Sequence, residues 1–463
     1  MYDNKVTLTL IYGDIKESLE YFDDSVQYDA WYLDGFSPSK NPEMWSLEVA
    51  KKLKETSNAE TTFATYSVAG LVKRNFTQAG FLIKKSTGFG LKRDMLMGSS
   101  KGKAKYQFSR KRICIVGAGI AGCSLAKILA EKGHKVTIFD KEENASFSAS
   151  GNKILVTYPR LSAHDSPYAR FSLQSFLYSS NFYDQLKSKY WKKSGVLMMN
   201  FDDNSKKREE SLCKATSKED LFVKLDKETA SLKAGVPLNH GGLFFKDAGY
   251  IQPKKLCQEI LQHENITTKY SEEVLTINTE HGMHEIITNQ SKSEFDELCL
   301  CNAYDVERFI NLDSITKKRG QVSLISTNDK LKNLTFPICA GGYLSPNLKG
   351  EHLIGSSYSQ LESLDVLDEE HDGNKIKINV IYDGELEVLA GRVGFRTVTK
   401  DRMPISGKLN GIYINVGHGS RGSTSAPLCS QHIADMIDKT PLPFGSQISY
   451  AIRPERFYSK ISE

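Results

Sequence analysis

The stretch that decides the fold is Ile113-Cys-Ile-Val-Gly117-Ala118-Gly119-Ile120-Ala121-Gly122, an apolar strand pattern that runs directly into a G-x-G-x-x-G turn. Residues 123–131 continue as a helical pattern, which Gly133 stops. Residues 135–139 read as a second strand, and Asp140 follows at its end. Strand, glycine turn, helix and a second strand with a terminal acid, in this order, are typical of a dinucleotide-binding Rossmann unit.

Each part of this fingerprint has a physical role. Gly117 permits the tight turn, Gly119 lets the backbone approach a pyrophosphate, and Gly122 allows the helix to pack closely on the strand. The first N–H groups of the helix favour the phosphates, and Asp140 is placed to accept hydrogen bonds from ribose hydroxyls. The fingerprint by itself does not distinguish NAD from FAD. The predicted contacts of the dinucleotide are Gly117, Ala118, Gly119, Ile120, Ala121, Gly122, Asp140 and Lys141.

A second glycine-rich turn, residues 417–422 (GHGSRG), follows a strand pattern at 411–416 and precedes a helical pattern at 426–437. Two such helix entrances, far apart in the chain, suit FAD, because its isoalloxazine ring lies far from its pyrophosphate. The N–H groups of the second helix can stabilise negative charge on the reduced ring. A surface turn is the alternative for this segment taken alone. The predicted contacts of the flavin are Gly417, His418, Gly419, Ser420 and Gly422.

Residues 113–463 resemble the glycine/D-amino-acid oxidase group of FAD enzymes, which oxidise amines that carry a nearby carboxylate. The resemblance implies an α/β fold in which a mixed-sheet substrate domain is inserted into a Rossmann-type FAD-binding domain. It also adds Ser150, Gly151 and Asn152 to the predicted cofactor contacts. Ile154 and Leu155 depart from the G-N-x-Q-G pattern of the group, and the loss of its last glycine changes the predicted loop shape but not the cofactor. Besides the glycine turns, the matching stretches are 149–152 (ASGN), 249–253 (GYIQP), 319–322 (RGQV), 394–397 (GFRT) and 401–404 (DRMP).

The first 98 residues alternate between strand and helix patterns, which indicates a separate α/β unit. Strand patterns cover residues 6–12, 28–33, 61–65, 81–85 and 95–97, and helical patterns cover residues 15–22, 43–54 and 68–78. Residues 99–112 are polar and basic and are predicted to be a linker. From Lys84 to Arg112 the chain has ten Lys or Arg residues and one acid, Asp94, although its net charge is only +5. This run predicts either a surface for a polyanion or a solvated linker.

The first unit resembles the methyltransferase half of the bifunctional tRNA 5-methylaminomethyl-2-thiouridine biosynthesis family. The matching stretches are residues 28–45 (YDAWYLDGFSPSKNPEMW), 62–70 (TFATYSVAG) and 88–98 (GFGLKRDMLMG). The resemblance implies an S-adenosylmethionine-dependent methyltransferase-like domain at 1–98, a basic linker at 99–112 and an FAD-dependent oxidoreductase domain at 113–463. It further implies that tRNA is the partner and that Asp34 begins the loop that holds the methyl-accepting amine.

One part of the methyltransferase pattern does not occur in the sequence. A class I methyltransferase needs a first strand, a G-x-G turn that binds S-adenosylmethionine, and a second strand that ends in an acid. The sequence starts at what reads as the third strand, and residues 88–90 (GFG) follow the fifth strand, so they do not replace that turn. We therefore expect an incomplete S-adenosylmethionine pocket and no independent methyl transfer. Either the chain is truncated or remodelled, or a separate polypeptide supplies the rest.

The family implies carboxymethylaminomethyl-uridine at the tRNA wobble position as the substrate, with loss of its carboxymethyl group as glyoxylate after oxidation to an imine. The substrate carboxylate needs a fixed cation, for which a planar Arg fork is better suited than Lys. Arg396 is the first candidate and Arg421 the second, with a surface salt bridge as the alternative role of each. Tyr250 and Tyr343 are candidate walls or hydrogen-bond donors, with core packing as the alternative. His418 can equally tune the flavin or be structural.

The composition excludes several other classes of protein. Hydrophobic residues make up 40% and charged residues 25%, as in ordinary globular proteins, and eight cysteines over 463 residues do not form a small disulfide scaffold. Cys299 and Cys301 have neither a CxxC partner nor a nearby His, so we expect no metal site. Without a signal-peptide pattern or a membrane-spanning run, a cytoplasmic location is expected. Three functions remain open: oxidation of modified tRNA, oxidation of free glycine-like amines, and tRNA binding without catalysis.

Overall fold

The computed structural model describes residues 6, 8–19, 22, 26–102, 104–215 and 221–457. The chain divides into two compact units. The first comprises Met1–Ser109 and Ala434–Ser449, and the second comprises Arg110–Ile433 and Tyr450–Glu463. Among the described residues, no helix is both long enough and apolar enough to cross a membrane.

The first unit contains a four-stranded sheet. Its strands are β1 (Tyr28–Tyr32), β2 (Ser57–Thr65), β3 (Phe81–Thr87) and β4 (Asp94–Ser100), in the order β1-β2-β4-β3. β1 and β2 are parallel, and the other neighbours are antiparallel. Helices α1 (Ile15–Ser18), α2 (Leu47–Glu55) and α3 (Gly70–Gln78) accompany it, with a 3-10 turn at Glu43–Trp45. Apolar residues at helical spacing on α2 and α3 join Phe63 and Phe81 in the core of the unit.

The predicted strand at residues 6–12 is wrong. Residues 6 and 8–12 have no regular structure, and position 7 lies outside the described residues. Val6, Leu8, Leu10 and Tyr12 are exposed by 46%, 62%, 62% and 89%. An alternating pattern becomes a strand only where a neighbour takes up its backbone N–H and C=O groups, and no described strand pairs with this segment. The predicted helix at 15–22 is shorter, Ile15–Ser18, and residues 20–21 lie outside the described part.

The second unit is built around a six-stranded sheet in the order β13-β6-β5-β17-β24-β23, in which only β23 runs antiparallel to its neighbour. Because β5, β17 and β24 are parallel neighbours, the two glycine turns leave the same edge of the sheet. The second unit as a whole contains the strands β5 (Arg112–Val116), β6 (Lys135–Phe139), β7 (Leu155–Thr157), β8 (Trp191–Lys192), β9 (Val196–Met199), β10 (Val223–Leu225), β11 (Gly242–Phe245), β12 (Gly249–Ile251), β13 (Ile266–Lys269), β14 (Val274–Glu280), β15 (Met283–Thr288), β16 (Lys292–Phe295), β17 (Glu297–Leu300), β18 (Ile315–Ser326), β19 (Ile338–Cys339), β20 (Tyr343–Leu344), β21 (Glu351–Gly355), β22 (Val388–Thr399), β23 (Ile405–Leu409) and β24 (Ile412–Val416).

An eight-stranded mixed sheet, in the order β10-β11-β9-β19-β20-β21-β18-β22, is inserted into this frame. Two three-stranded sheets, β7-β12-β8 and β14-β15-β16, complete the unit and confirm the predicted fold class. The helices are α4 (Ile120–Glu131), α5 (Pro167–Gln185), α6 (Asp203–Ala215), α7 (Lys227–Ala234), α8 (Pro253–Ile260), α9 (Asp368–Ile378), α10 (Gly422–Asp438) and α11 (Ser446–Ile452), with 3-10 turns at Ala303–Arg308 and Pro454–Phe457. The division between the two units falls within α10 and again within α11.

The long antiparallel pair β18 and β22 positions the candidate anchor residues. The two strands are paired along nearly their whole lengths, with Gly320 opposite Gly394 and Lys318 opposite Arg396. The mixed sheet packs on a core that includes Leu197, Phe336 and Ile354. Arg396 is therefore held on a strand with a neighbour, which limits how far its backbone can move.

Candidate functional site

The fingerprint turn has the geometry that a close approach of strand, helix and ligand requires. Gly117 has a φ of +103°, and a Cβ built on it would lie 2.7 Å from the carbonyl oxygen of Cys301. A Cβ on Gly122 would lie 1.9 Å from the carbonyl oxygen of Gly117, so only glycine lets α4 pack this closely. A Cβ on Gly119 would meet only the Ser150 hydroxyl, at 3.5 Å, which leaves this side of the turn open.

Asp140 is fixed beside the turn at the end of β6. Its carboxylate accepts hydrogen bonds from the backbone N–H groups of Ala118 and Glu142, at 2.6 and 2.9 Å. Burial raises the pKa of Asp140 above its usual value, although these two hydrogen bonds oppose the shift. Lys141 forms an ion pair with Asp305 at 2.8 Å. Each carboxylate oxygen keeps a further acceptor site, which suits the predicted contact with ribose hydroxyls.

A cavity of about 750 Å³ extends from this turn to the second glycine turn. Its lining includes polar atoms for which no described residue supplies a hydrogen-bond partner, namely Oδ1 of Asn302 and Oγ1 of Thr397. Buried polar atoms are normally paired, so these two leave hydrogen-bonding capacity that a bound ligand would satisfy. The open turn, the helix N-terminus, the acid and the unpaired polar atoms together fit a dinucleotide cofactor such as FAD.

The cavity brings together most of the predicted cofactor contacts. Ala118, Gly122 and Gly151 do not line it: Ala118 donates to Asp140, Gly122 packs against Gly117, and Gly151 lies under Arg392, where a Cβ would be 2.2 Å from Nη2. Those that line the cavity are Gly117, Gly119, Ile120, Ala121, Asp140, Lys141, Ser150, Asn152, Gly417, His418, Gly419, Ser420 and Gly422.

The second glycine turn places α10 against the cavity. Gly417 and Gly419 have φ values of +80° and +56°, which favour glycine. The His418 ring is held between Asn415 and Ser425, with Nε2–Oδ1 and Nδ1–Oγ distances of 3.1 and 2.9 Å. Burial lowers the pKa of His418 to about 4. The ring is therefore neutral at neutral pH and its two nitrogens are occupied, which favours the structural alternative for the side chain.

Arg396 lines the cavity and is held by neutral partners. Its Nη2 donates to the Ser356 hydroxyl at 2.5 Å, and its Nη1 donates to the Ser357 carbonyl at 3.1 Å. Glu370 acts on Arg396 at longer range but is ion-paired with Arg319. Burial lowers the pKa of Arg396, yet a guanidinium remains a cation at neutral pH. Arg396 thus offers the cavity a positive charge that no described carboxylate neutralises.

The other candidate residues occupy different places. Arg421 also lines the cavity, where its Nη1 donates to the Tyr158 carbonyl at 3.1 Å and its guanidinium lies 4.5 Å from the centre of the Tyr158 ring. Tyr343 lines the cavity, and its phenol is neutral at neutral pH, with a pKa that burial raises further. Tyr250 does not line the cavity and packs in a core cluster instead. Asp34 belongs to the first unit, where it follows β1 and is exposed.

Arg392 was not among the predicted site residues, although it lines the cavity. Its Nη1 donates to Oδ1 of Asn152 at 2.9 Å, and its Nη2 donates to the carbonyl oxygens of Phe147 and Ser148. Arg392 therefore holds the loop at 147–152 against the cavity. One signal was available: residues four apart on a strand lie on the same face, so Arg392 shares a face of β22 with Arg396.

The basic run at 84–112 is partly neutralised. Lys105 forms ion pairs with Asp29 at 3.2 Å and Glu60 at 3.5 Å. Lys111 lies 2.5 Å from Glu297, and Arg112 lies 3.0 Å from Asp296. Lys103 lies outside the described residues. Part of the positive charge predicted to face a polyanion is therefore neutralised by carboxylates of the chain itself.

Comparison with known proteins gives each unit a family. A model of the FAD-dependent oxidoreductase family (DAO) matches residues 112–436, and a model of an S-adenosyl-L-methionine-dependent methyltransferase family matches residues 1–101. Among solved structures, glycine oxidase from Geobacillus kaustophilus has a TM-score of 0.61 at 18% identity and covers 72% of this chain and 96% of its own. L-proline dehydrogenase from P. horikoshii has a TM-score of 0.64 at 18% identity, covering 76% and 98%. These likenesses establish the fold.

Curated relatives cover both units at once. The tRNA 5-methylaminomethyl-2-thiouridine biosynthesis bifunctional protein MnmC of Pseudomonas syringae pv. tomato is 32% identical over 99% of this chain and 78% of its own length. The protein of the same name from Methylobacillus flagellatus is 31% identical over 98% and 75%. The chain belongs to the MnmC family of bifunctional proteins, in which an S-adenosylmethionine-dependent methyltransferase unit accompanies an FAD-dependent oxidoreductase unit.

Proposed function

We propose that the chain removes the carboxymethyl group from carboxymethylaminomethyl-uridine, or its 2-thio form, at the wobble position of tRNA. The observation that carries the proposal is Arg396, a cation held in the cofactor cavity by neutral partners only. The carboxylate of the substrate is the anion that such a guanidinium binds best, through two parallel hydrogen bonds. The names of the curated relatives indicate that the substrate is a modified uridine of tRNA.

The side chains around Arg396 orient the substrate in this proposal. FAD, when bound, supplies the acceptor for the two electrons and the hydrogen that leave the substrate carbon. Arg396 fixes the carboxylate, which leaves the neighbouring carbon and nitrogen little freedom to turn. The Tyr343 phenol is neutral at neutral pH, and burial raises its pKa further, so it can donate a hydrogen bond without adding charge. Arg421 is the second candidate for the carboxylate anchor.

The boundaries of the two units enter the proposal as predicted. Residues 113–463 carry the oxidation, and residues 1–98 belong to the methyl transfer that follows. The linker predicted at 99–112 is shorter in the structure, because Ser99 and Ser100 lie in β4 and Arg112 lies in β5. tRNA as substrate supports a cytoplasmic site of action, in keeping with the eight cysteines, all of which are free thiols in the structure.

We further propose that a separate polypeptide completes the methyltransferase unit. Among the described strands, β1 pairs with β2 only, so β1 stands at an edge of the four-stranded sheet. Tyr32 and Phe36, at the end of β1 and just beyond it, are exposed by 86% and 69%. S-adenosylmethionine is the cosubstrate that the matching family model names. Asp34 lies between these two residues in sequence and is itself exposed, and we propose that it faces the methyl-accepting amine.

The experiment that tests the oxidation is anaerobic reduction of the bound flavin. Purified protein is mixed with tRNA that carries the carboxymethylaminomethyl group, with unmodified tRNA, and with glycine or sarcosine. We expect loss of the flavin absorbance only with the modified tRNA, and loss of the carboxymethyl group in the digested nucleosides. Reduction by glycine or sarcosine alone would instead identify an oxidase of free amines. A protein that binds no flavin would refute the oxidation altogether.

A further inference from the structure

A row of arginines extends from the cavity along residues 158–161. Tyr158 lines the cavity, and its carbonyl accepts a hydrogen bond from Arg421 at 3.1 Å. Three residues further on, the Leu161 carbonyl accepts a hydrogen bond from Nη2 of Arg208 on α6, at 3.0 Å. Arg160 lies between these two points and is exposed. Three residues of chain span at most about 10 Å, so the arginines follow one another closely from the cavity outwards.

The positive charge of this row is not balanced by nearby acids. Asp165 is ion-paired with Arg170 at 2.5 Å, and Glu209, the neighbour of Arg208 in sequence, is ion-paired with Lys224 at 2.8 Å. Neither Arg160 nor Arg208 forms an ion pair with a carboxylate in the part of the chain that the structure describes. Burial lowers the pKa of Arg208, and the positive charges of Arg160 and Arg421 lower it further.

The closely placed arginines raise the electrostatic energy of the protein without a ligand, and they favour the binding of an anion. Like charges held close together repel one another, and a bound anion would offset that repulsion. Arg208 uses Nη2 for the Leu161 carbonyl, so Nη1 and Nε keep donors for a ligand. The backbone N–H of Arg160 donates a hydrogen bond to the Ser172 hydroxyl at 2.9 Å, which fixes the chain at this point. The exposed side chain of Arg160 remains available to bind a ligand.

We infer that Arg160 and Arg208 bind the phosphodiester backbone beside the nucleotide whose modified base enters the cavity. The inference rests on the proposed function and extends it from the reacting group to the RNA strand. Arginine forks are well matched to phosphate oxygens, and phosphate contacts position a strand without reading its sequence. Free glycine or sarcosine has no second anion to place there.

The test compares the double variant Arg160→Gln/Arg208→Gln with the wild type and with Arg170→Gln. The control removes an arginine of the same region that is already paired with Asp165. Binding of substrate tRNA is measured by fluorescence anisotropy over a range of salt concentrations, and flavin reduction is measured with tRNA and with the free carboxymethylaminomethyl-uridine nucleoside.

For the double variant we expect tRNA affinity to fall about 10-fold or more, and the slope of log affinity against log salt to decrease by roughly 1.4, at ~0.7 per phosphate on a single strand. Oxidation of the nucleoside should not change, since it has no phosphate, and the control should behave as the wild type. Unchanged tRNA affinity and slope would overturn the inference, as would an equal loss with nucleoside and tRNA. If the wild type oxidises neither substrate, the proposed function fails, whereas the binding slopes still decide the role of the two arginines.

Discussion

Gly320→Ala should displace the Arg396 guanidinium without removing its charge. Gly320 lies on β18 opposite Gly394, and a Cβ built on it would be 2.2, 2.3 and 2.4 Å from Nη1, Nη2 and Cζ of Arg396. Non-bonded heavy atoms settle at about 3.5 Å or more, so the guanidinium must move by more than ~1 Å. The φ of Gly320 is not positive, so the alanine backbone itself is not strained.

The size of the effect follows from the hydrogen bonds that the shift breaks. Arg396 is held by the Ser356 hydroxyl at 2.5 Å and the Ser357 carbonyl at 3.1 Å, and a shift of that size breaks both contacts. Hydrogen bonds to a charged group contribute about 1.5–3 kcal/mol, so we expect kcat/KM for the modified tRNA to fall by roughly 10- to 100-fold. Flavin content should not change, because Gly320 does not line the cavity.

The assay is stopped-flow reduction of the flavin under anaerobic conditions, with FAD content read from the absorbance of the same sample. Gly373→Ala is the matched control: no heavy atom lies within 4 Å of the Cβ it would add, and Gly373 lies within α9. The control should keep wild-type kinetics and gain helix stability of up to about 1 kcal/mol. Wild-type kinetics in Gly320→Ala would refute the assignment of Arg396 to the substrate carboxylate, and so would a loss explained fully by lost FAD.

Three further variants address the cofactor loop, the buried ion pair and the histidine. Arg392→Gln removes the donors that hold the loop at 147–152, so FAD affinity should fall about 10-fold, at ~1.4 kcal/mol, in titrations of the apoprotein. Glu370→Gln leaves Arg319 buried without its carboxylate, and urea unfolding should show a loss of about 3 kcal/mol. Although burial opposes ionisation, hydrogen bonds from Ser357 and Arg319 hold the pKa of Glu370 below 4.5, so its contribution is present above pH 4.5 and is lost as the pH falls through that lowered pKa. His418 has a folded-state pKa of about 4 against 6.5 unfolded, so the wild type should lose stability as the pH falls from 6.5 to 4, and His418→Gln should show a shallower decline in the same thermal unfolding series.

The local part of the fold was predictable because its determinants are contiguous in sequence. Gly117 requires a positive φ, Gly122 requires close packing, and Asp140 ends the next strand, so one short segment contains the whole pattern. The match of β6 to the predicted strand at 135–139 follows from the same locality. Residues 6–12 show the limit, since their alternation satisfies the strand pattern but nothing in the sequence reveals whether a neighbour is present to pair with them.

A residue of the candidate site was predictable only where it belongs to a recognisable local sequence motif. Arg396 stands in a motif, whereas the role of Arg392 appears only once the loop at 147–152 is seen to lie against β22. Arg208 reaches the Leu161 carbonyl across a long stretch of sequence and has no local signal at all. Tyr250 and Tyr343 read alike in sequence, but their strands differ in position, and only Tyr343 meets the cavity. The tertiary packing of the strands decides which of these residues reaches the cavity, and the sequence pattern does not show that packing.

The two proposed steps can be separated by the mass of the wobble nucleoside in tRNA digests. Arg396→Gln removes the carboxylate anchor, so the carboxymethyl group should be retained whether or not S-adenosylmethionine is present. The wild-type chain should yield the aminomethyl nucleoside, and S-adenosylmethionine should not change it, because β1 has an edge that no described strand completes. A methylated nucleoside from the wild-type chain alone would refute the need for a separate polypeptide. In that case Asp34→Asn should abolish methylation and leave oxidation intact, since Asp34 and Arg396 lie in different units and act on successive states of the same amine.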